Sequence, residues 1–588
     1  MTRHRRTAGM ILVTALVFGA VLTTMAVALV NYTALNAKVT RASVAEAQAL
    51  ALAEAGIDKA VYELNQNGSY TGESNTPLGA GVVTITVTNI DANSKRISAT
   101  ASVPNSTSPR AQASVHATAS INTSVVAFHF GVQVGEGGVS MGNGAEIIGN
   151  IFSNGSISGS GTVTGDATVA AGTAGSPDQS WTTENGTVGL GDVAARASVA
   201  QSFRPSTSST LNKIQLYVRK VGNPNDITIR VMADDAGRPS GTVLVTAVIP
   251  SSHVADDLSF AEAALESLIQ VQADQTYWLV ASLPVSSTSH YEWAVDTLAG
   301  YSRGEAAASA VWDDPDAWSA VQGDLNFKIF LAGNQTSLSQ TTVEGNAWAQ
   351  QLSNCTIHGD ATFQSATTNC TVSGTKYPNA TSSPPGLMPI SEAHIRQWEE
   401  DAEAGGVHAG DFTISNNGSA TLGPRKITGK LTVSNGATLT LTGPVWVTGD
   451  ISFSNTSHLQ TSASLGNRAA ILIADAPGEE SSKGKVTLTN GMQVSGNGNP
   501  GSYPMILTTN TSGSAISLGN NAEGIILYAT AGTVQISNNA QARQITAHRL
   551  QMSNNSQVVY ESGLSNSNFS GGPGGSWAIV PGTYAITP

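Results

Sequence analysis

Cysteine and charged side chains are both scarce in this chain of 588 residues. Two cysteines exclude a disulfide-rich scaffold and argue against a zinc cluster, which needs several such ligands at close spacing. Asp, Glu, Lys and Arg make up 12% of the residues, whereas roughly 25% is usual in globular domains. The formal net charge of −13 argues against a nucleic-acid partner, which requires a basic surface.

Sequence motifs for catalysis are also missing. The ten histidines are scattered without a His-Glu-x-x-His pair, and neither a phosphate-binding Walker loop nor a Cys-x-x-Cys pair occurs. Residues 496–501 match the spacing of a dinucleotide-binding loop, but they include a proline and no helix pattern follows, so they are interpreted as a turn. We therefore predict a protein that is not an enzyme and has no catalytic residues, cofactor or metal.

An uncharged, apolar run extends from Met10 to Val30, behind a short N-terminus that carries Arg3, Arg5 and Arg6. As a helix, this run is about 31 Å long, which is enough to cross the hydrocarbon core of a membrane. The arginines predict a cytoplasmic N-terminus, with the bulk of the chain outside the cytoplasmic membrane. A cleaved secretory signal is the alternative, but its apolar region is normally about 7–15 residues long.

Apolar residues continue beyond this run at mostly three- and four-residue steps as far as Leu64, with charged residues largely between them. This period predicts one helix over residues 10–65, which spans the membrane first and is amphipathic afterwards. Residues 66–125 then include alternating segments such as GVVTITVTNI and KRISATASV. Such alternation predicts a small β-hairpin region.

The basic leader, the Gly9-Met10 pair, the apolar run and the stretch AEAQALALAEAGIDKAVYEL (45–64) resemble type IV pilin-like proteins, and most of all the PilX-type N-terminal domain. The resemblance implies that a prepilin peptidase removes residues 1–9 by cutting after Gly9, and that Met10 becomes a methylated N-terminus. It also implies that the partners are other pilin-like subunits or the pilus assembly machinery. Thr14 stands where major pilins carry a Glu, which argues against ordinary incorporation into a fibre shaft.

Short strands separated by Gly and Asn turns are typical of residues 126–184 and 335–588, which we assign to the first part and the main part of one β-helix. An Asn followed by a small residue and alternating apolar residues recurs at Asn416, Asn435, Asn455, Asn490, Asn520, Asn538 and Asn554. These spacings suit the rungs of a parallel β-helix, in which Asn tolerates a left-handed turn and its amide can hydrogen-bond along the stack. We predict a right-handed parallel β-helix with a short helix near 391–404 on its side; a β-sandwich with polar loops is the alternative.

Cys355 and Cys370 occur in two copies of the phrase Asn-Cys-Thr-x-x-Gly. Fifteen residues separate them, which is close to the length of one rung. They could therefore stack on adjacent rungs, where a disulfide can form outside the cell. Two buried free thiols are the alternative.

Residues 185–334 have a different sequence pattern, with longer segments of alternating apolar and polar residues such as LNKIQLYVRKV and QTYWLVASL. We predict an inserted antiparallel β-sandwich of the jelly-roll type. Its aromatic residues, Tyr291, Trp293 and Trp312 among them, are candidates for a platform on which sugar rings stack, although most aromatic residues in such strands belong to a core. Its acidic residues are candidate calcium ligands, or simply a solvated turn: Asp313, Asp314, Asp316 and Asp324.

The stretch from Met388 to Trp577, with phrases such as ESGLSNSNFSGGPGGSW, resembles the C-terminal region of large PilX-like surface proteins from uncultivated small-genome bacteria. Together the two resemblances imply a non-enzymatic type IV pilus-like or minor-pilin-like surface protein, anchored in the membrane and acting in pilus assembly or adhesion. A glycan-binding adhesin that uses the sandwich is one alternative. A polysaccharide-degrading β-helix enzyme is another, and it would need stacking to bring its scattered acids together.

Overall fold

The computed structural model describes residues 7–587, apart from 67–69, 90–93, 122–124, 127, 366, 467, 500–501, 562–563, 565–566, 569–576 and 580–582. These residues form a mainly β protein with one long N-terminal helix, as the sequence predicts. The chain divides into two compact units. One consists of Met1–Thr123 and Gly574–Pro588, and the other of Ser124–Pro573.

The elements of the first half of the chain change from helix to antiparallel and then to short parallel strands. The first unit opens with α1 (Thr7–Gln66), β1 (Gly72–Leu78), β2 (Gly81–Asn89), β3 (Ser94–Val103) and β4 (Ala111–Ile121). The second unit opens with β5 (Val125–Val126), β6 (Val132–Met141), β7 (Glu146–Ile148), β8 (Ile151–Ser153), β9 (Ile157–Gly159), β10 (Thr162–Val163) and β11 (Ala167–Val169). An antiparallel block follows, made of β12 (Gln179–Trp181), β13 (Gly186–Leu190), β14 (Ser198–Phe203), β15 (Ser209–Val221), β16 (Ile227–Asp235), β17 (Arg238–Ile249), β18 (Ser259–Leu265), β19 (Ile269–Val271), β20 (Tyr277–Ser282), β21 (His290–Asp296), β22 (Ala306–Ser309), β23 (Ser319–Val321), β24 (Asp324–Leu325) and β25 (Phe327–Leu331).

Short parallel strands resume after this block. They are β26 (Ser337–Ser339), β27 (Thr342–Val343), β28 (Ala347–Ala349), β29 (Gln351–Ser353), β30 (Thr356–Ile357), β31 (Ala361–Phe363), β32 (Thr371–Val372) and β33 (Lys376–Tyr377). After α2 (Glu392–Ala404) come β34 (Val407–His408), β35 (Phe412–Ile414), β36 (Ser419–Leu422), β37 (Arg425–Ile427), β38 (Leu431–Ser434), β39 (Thr438–Leu441), β40 (Val445–Val447), β41 (Ile451–Ser454), β42 (His458–Thr461), β43 (Ile471–Ala474), β44 (Val486–Leu488), β45 (Gln493–Ser495), β46 (Met505–Thr508), β47 (Ile516–Leu518), β48 (Glu523–Ile536), β49 (Gln541–Met552) and β50 (Gln557–Val559). The last strands are β51 (Ser567–Asn568), β52 (Trp577–Ile579) and β53 (Ala585–Thr587).

In the first unit, the second half of α1 packs on an antiparallel sheet with the order β1-β2-β3-β4. The contact is made by small and branched helix residues, which are fully buried: Ala49, Ala53, Ile57, Ala60 and Leu64. Gly56 marks the closest approach, because a Cβ added there would lie 2.7 Å from Val83 Cγ2 and 2.9 Å from Ala99 Cβ. The amphipathic pattern of the sequence therefore corresponds to a helix face that is buried against a sheet.

The two final strands return to this N-terminal sheet. Both β52 and β53 pair antiparallel with β4, and the main-chain N–H of Thr118 donates to Thr583 Oγ1 at 3.0 Å, across 465 residues of sequence. The assignment of all of residues 335–588 to the β-helix is therefore wrong at its C-terminal end. Pairing over such a separation leaves no local pattern in the sequence, and for that reason the prediction missed it.

The parallel β-helix of the second unit is a single stack whose rungs do not follow chain order. The C-terminal strands β34 to β49 stack rung upon rung, and then β49 pairs in parallel with β6, with Ile545 opposite Val132 and Leu550 opposite Val139. From β6 the stack continues through β11 to β26 and ends at β33. The two predicted stretches of β-helix therefore form one body with one continuous hydrophobic core.

One corner of this stack is built from asparagines in the left-handed backbone conformation. All seven predicted positions have φ between 52° and 56°, from Asn416 to Asn554. From Asn435 onward each next side chain donates its Nδ2 to the preceding Oδ1, over N···O distances of 2.9–3.2 Å. The predicted amide ladder is thus confirmed, since each rung turns at an Asn and hydrogen-bonds to its neighbours.

We expect Asn538→Ala to lower the free energy of unfolding by about 1 kcal/mol more than Asn539→Ala does, as measured by urea denaturation. Both residues have positive φ, 56° and 59°, so both variants suffer the same backbone strain. Only Asn538 is a member of the ladder, donating to Asn520 and accepting from Asn554. The difference in unfolding free energy between the two variants therefore measures these two exposed hydrogen bonds between side-chain amides. Equal losses in the two variants would mean that the ladder does not contribute to stability.

The antiparallel block is a two-sheet sandwich with its own core. One sheet carries β12, β25, β15, β21 and β13, the other carries β17, β16, β20, β14, β22 and β23, and β18 pairs with a strand of each. Its first strand is Gln179–Trp181, which pairs with Phe327–Leu331. The predicted boundaries of 126–184 and 185–334 are therefore shifted, because this short strand precedes the first long alternating segment.

Residues 378–406 connect the last rung of the stack to its first rung by running back along its side. Anchoring hydrogen bonds follow the path: Ala171 N to Ser383 O, Asn154 Nδ2 to Gly386 O, Gln133 Nε2 to Leu387 O, and Tyr528 Oη to Ile390 O, at 2.7–2.9 Å. The segment then forms α2, which packs on β37 and β40. The short helix predicted near 391–404 on the side of the β-helix is thus present.

Candidate functional site

The first half of α1 exposes a long apolar surface. Large side chains from Val13 to Val44 are all at least half exposed, for example Leu16 at 70% and Val30 at 64%. The helix contains an 18-residue window with a mean hydropathy of 1.9, so it is long and apolar enough to span a membrane. Gly9 and Met10 lie near the start of α1, whereas Arg3, Arg5 and Arg6 lie outside the described residues.

Two of the three aromatic residues proposed for sugar stacking are buried inside the sandwich. Tyr291 and Trp293 have no exposed surface and belong to its core. Their polar atoms are used internally, since Tyr291 Oη donates to Asn225 O and Trp293 Nε1 donates to Asn326 O, both at 2.8 Å. The predicted platform is therefore wrong for both residues, because their strand alternates with its aromatic side chains facing inward.

Trp312 lies apart from these two residues, half-buried against the outer aromatic cluster of the sandwich. One face of its indole is covered by Arg230, whose Cζ is 4.1 Å from the ring centroid. Because the guanidinium already fills this cation–π position, the covered face is closed to a sugar ring. The structure thus does not bring Tyr291, Trp293 and Trp312 together into one surface.

The acidic residues near Trp312 do not converge either. Asp313, Asp314 and Asp316 are exposed, whereas Asp324 is buried and accepts a hydrogen bond from the main-chain N–H of Tyr301 at 2.9 Å. Among the residues that the structure describes, no three His, Cys, Asp or Glu side chains are grouped to hold a metal ion. The structure therefore does not bring Asp324 together with the three aspartates of the acidic turn.

Cys355 and Cys370 form a disulfide bond, with their Cα atoms 4.5 Å apart. It joins the rungs of β30 and β32, which pair in parallel. Beside it, Asn369 Nδ2 donates to Asn354 Oδ1 at 3.3 Å, so the repeated phrase stacks residue on residue. The bridge lies at the end of the stack formed by β32 and β33, where Cys370 and Val372 are only partly buried.

A cleft on the outside of the β-helix brings together residues that lie far apart in sequence. Its volume is about 240 Å³, and we call it the Tyr503 cleft; its lining includes Ser495, Tyr503, Glu523, Gln541, Arg543 and Glu561. Tyr503 Oη donates to Glu561 Oε2 at 2.9 Å, and Arg543 pairs with Glu561 Oε1 at 2.7 Å. Burial, with this hydrogen bond, raises the pKa of Tyr503.

A second polar cluster is buried under α2. Glu399 is 8% exposed and lies beside Asp475, whose carboxylate accepts a hydrogen bond from Thr509 and whose carbonyl accepts one from Trp446 Nε1 at 2.9 Å. Burial, followed by the hydrogen bond and the charge of Asp475, raises the pKa of Glu399 to about 9. Near the start of the same helix, burial lowers the pKa of His394 to about 3. Both side chains are thus neutral at neutral pH.

Comparison with known protein families finds no family model that matches this chain, and comparison with curated proteins finds no similar sequence. Glu523 and Glu561 are two of the scattered acids of the β-helix sequence, whereas no motif in the sequence points to Tyr503 and Arg543, which complete the cleft. No local signal joins these four residues, because only the stacking of rungs brings them together.

Proposed function

We propose that the protein is a non-enzymatic, type IV pilin-like surface protein that is anchored in the cytoplasmic membrane by α1, with its bulk outside the cytoplasm. The observation that carries the proposal is the division of α1 into two parts. Its first part exposes apolar side chains to its surroundings, and its second part is buried on an antiparallel sheet. A helix of this kind suits a protein that is held in lipid at one end and carries a folded domain at the other.

The size of the remaining chain supports a place at a pilus tip or in the membrane over a place in a shaft. The second unit alone spans Ser124–Pro573. A head of this size is difficult to repeat around a thin fibre, and Thr14 stands where shaft subunits have a Glu. In this proposal the β-helix unit is presented to the surroundings of the cell for assembly or adhesion.

We expect the mature protein from cells to begin at a methylated Met10, and Gly9→Val to retain residues 1–9. Intact mass and N-terminal sequencing, on membrane and sheared-surface fractions, measure both. The matched control is Gly19→Val, because a side chain added at Gly19 has no neighbour within 4 Å and the variant should be processed like the wild type.

Two outcomes would contradict parts of this proposal. A wild-type protein that keeps Met1 or Thr2 and occurs only in membranes would exclude a processed pilin and leave a simple membrane-anchored surface protein. Recovery of the intact, uncleaved chain in the soluble fraction would contradict the anchor itself, since the exposed apolar side chains from Val13 to Val30 require an apolar environment.

A further inference from the structure

We propose that the Tyr503 cleft binds one or two rings of a neutral or amino-substituted saccharide. The cleft is lined by planar polar groups that can hydrogen-bond to sugar hydroxyls: the carboxylates of Glu523 and Glu561, the guanidinium of Arg543 and the amide of Gln541. Gln541 Nε2 already donates to Gln557 Oε1 at 3.0 Å, which leaves the Gln541 amide oxygen as an acceptor. Tyr503 adds an aromatic ring that packs on the β-helix core on one side. A volume of about 240 Å³ lies just below the range of drug-sized pockets, which suits a ligand of this size.

The cleft is held in shape before any ligand arrives. Glu523 and Gln541 are register partners on adjacent parallel strands, so their side chains project side by side, about 4.8 Å apart. Tyr503 is placed by the loop that follows β45, where Thr461 Oγ1 donates to Ser502 O at 2.7 Å and Asn497 Nδ2 donates to Gly466 O at 2.8 Å. Such preorganisation reduces the entropy that a ligand must lose on binding.

The charges of the cleft select against acidic sugars. Arg543 is already paired with Glu561, so these two charges offset each other. Within the described residues, the carboxylate of Glu523 has no ion-pair or hydrogen-bond partner, and the residue is exposed in the lining of the cleft. A uronic acid would be repelled there, whereas a neutral sugar would be tolerated and an amino sugar attracted.

This inference is independent of the proposed anchoring and of pilin processing. It also differs from adhesion through the sandwich, since the Tyr503 cleft is formed by the rungs of the β-helix and a loop between them. The two can be separated by substitutions, because Trp312 lies in the sandwich and Tyr503 in the β-helix.

The test is isothermal titration of the full-length protein in detergent micelles. The probes are N-acetylated chito-oligosaccharides as neutral ligands, their deacetylated forms as cationic ligands, and oligogalacturonates as anionic ligands. We expect neutral and cationic probes to bind with a Kd of about 1 mM or tighter, with the cationic form favoured and the anionic form not bound. Tyr503→Ala should weaken binding at least about tenfold, while Tyr503→Phe keeps the ring and most of the affinity.

Tyr503→Ala also removes packing against the β-helix core, so Glu523→Gln provides a second test that leaves this packing intact. This exposed substitution should remove the preference for the cationic probe and leave neutral binding within about twofold. The matched control is Glu479→Gln, an exposed acid that does not line the cleft and that should change nothing. Absence of binding by neutral and cationic probes, tighter binding of the anionic probe, or a loss of binding in Trp312→Ala but not in Tyr503→Ala would overturn the proposal.

Discussion

Glu399→Gln is expected to stabilise the β-helix unit at neutral and alkaline pH and to remove the loss of stability that this group causes between about pH 6.5 and 9. The pKa of Glu399 is about 9 in the folded protein, raised from an ordinary value of 4.5 chiefly by burial. At neutral pH the folded protein therefore holds a proton that the unfolded chain has released. Stability from this group is complete below about pH 4.5 and falls as pH rises towards 9.

The size of the effect follows from the difference between the two pKa values. From this group alone, each pH unit between 4.5 and neutral pH costs about 1.4 kcal/mol, so its loss by neutral pH is at most about 3.5 kcal/mol. Glutamine has the shape of the protonated acid and an amide that can still donate to Asp475, but it has no proton to lose. The positive charges of Lys426 and Arg396 lower the pKa of Glu399 but do not offset its burial.

The measurement is the urea midpoint of the full-length protein in detergent across this pH range. Glu400→Gln is the matched control, because Glu400 is the next residue of α2 and is exposed. Above about pH 6.5, the wild type and Glu400→Gln should both lose stability as the pH rises, and Glu399→Gln should not. Between about pH 4.5 and 6.5, the lowered pKa of His394 opposes the effect of Glu399, so Glu399→Gln should gain stability there relative to the other two proteins. Parallel pH profiles for all three proteins would show that Glu399 is already ionised in the folded state.

The features of the β-helix that depend on neighbouring rungs could be predicted from the sequence. Each Asn from Asn416 to Asn554 adopts a left-handed conformation within its own turn. The preference for Asn at that position therefore recurs in every repeat and is visible in the sequence. The phrase around Cys355 and Cys370 repeats for the same reason, and the two residues are found one rung apart. In both cases the sequence spacing equals the spatial period of the fold.

The features that depend on distant parts of the chain could not be predicted in this way. No sequence feature near Val132 indicates that its strand pairs with the strand of Ile545. Many apolar strands of the same length would pack equally well against the core at this position. The hydrogen bond between Thr118 and Thr583 likewise has no signal in the local sequence. The Tyr503 cleft belongs to this class, since its residues come from β45, β48 and β49, from the segment after β50 and from the loop that holds Tyr503.

For the aromatic residues of the sandwich, the sequence pattern does not predict which sheet face each side chain occupies. Alternation predicts that one side of a strand is buried, but it does not tell which side faces the other sheet when both sides carry large residues. In β20, Tyr277 and Leu279 face the main core, whereas Trp278 faces the smaller outer cluster with Trp318. In β21, Tyr291 and Trp293 face the main core. Adhesion through these residues therefore has little support, and the cleft on the β-helix is the better candidate.

Reduction of the Cys355–Cys370 bond is expected to destabilise the end of the β-helix by about 3 kcal/mol, which is about a hundredfold in local opening. The bridge closes a loop of 15 residues, and its loss returns conformational freedom to the open state of that segment. The effect should be local, because each rung of a solenoid contacts only its neighbours and β32 and β33 form the last rung.

Hydrogen exchange with and without a reductant measures this effect directly, since the chain contains no cysteines other than these two. We expect protection to fall in Thr371–Tyr377 and to be retained in the rungs from β6 to β11, which lie further along the stack. Cys355→Ala combined with Cys370→Ala should reproduce the result without reductant, and adding reductant to this variant is the control for effects on the rest of the protein. Unchanged exchange in Thr371–Tyr377 would mean that the stacked asparagines Asn354 and Asn369 hold the terminal rung without the bond. Loss of protection throughout the β-helix would instead mean that the stack unfolds as one cooperative unit, so that its terminal rung controls the stability of the whole body.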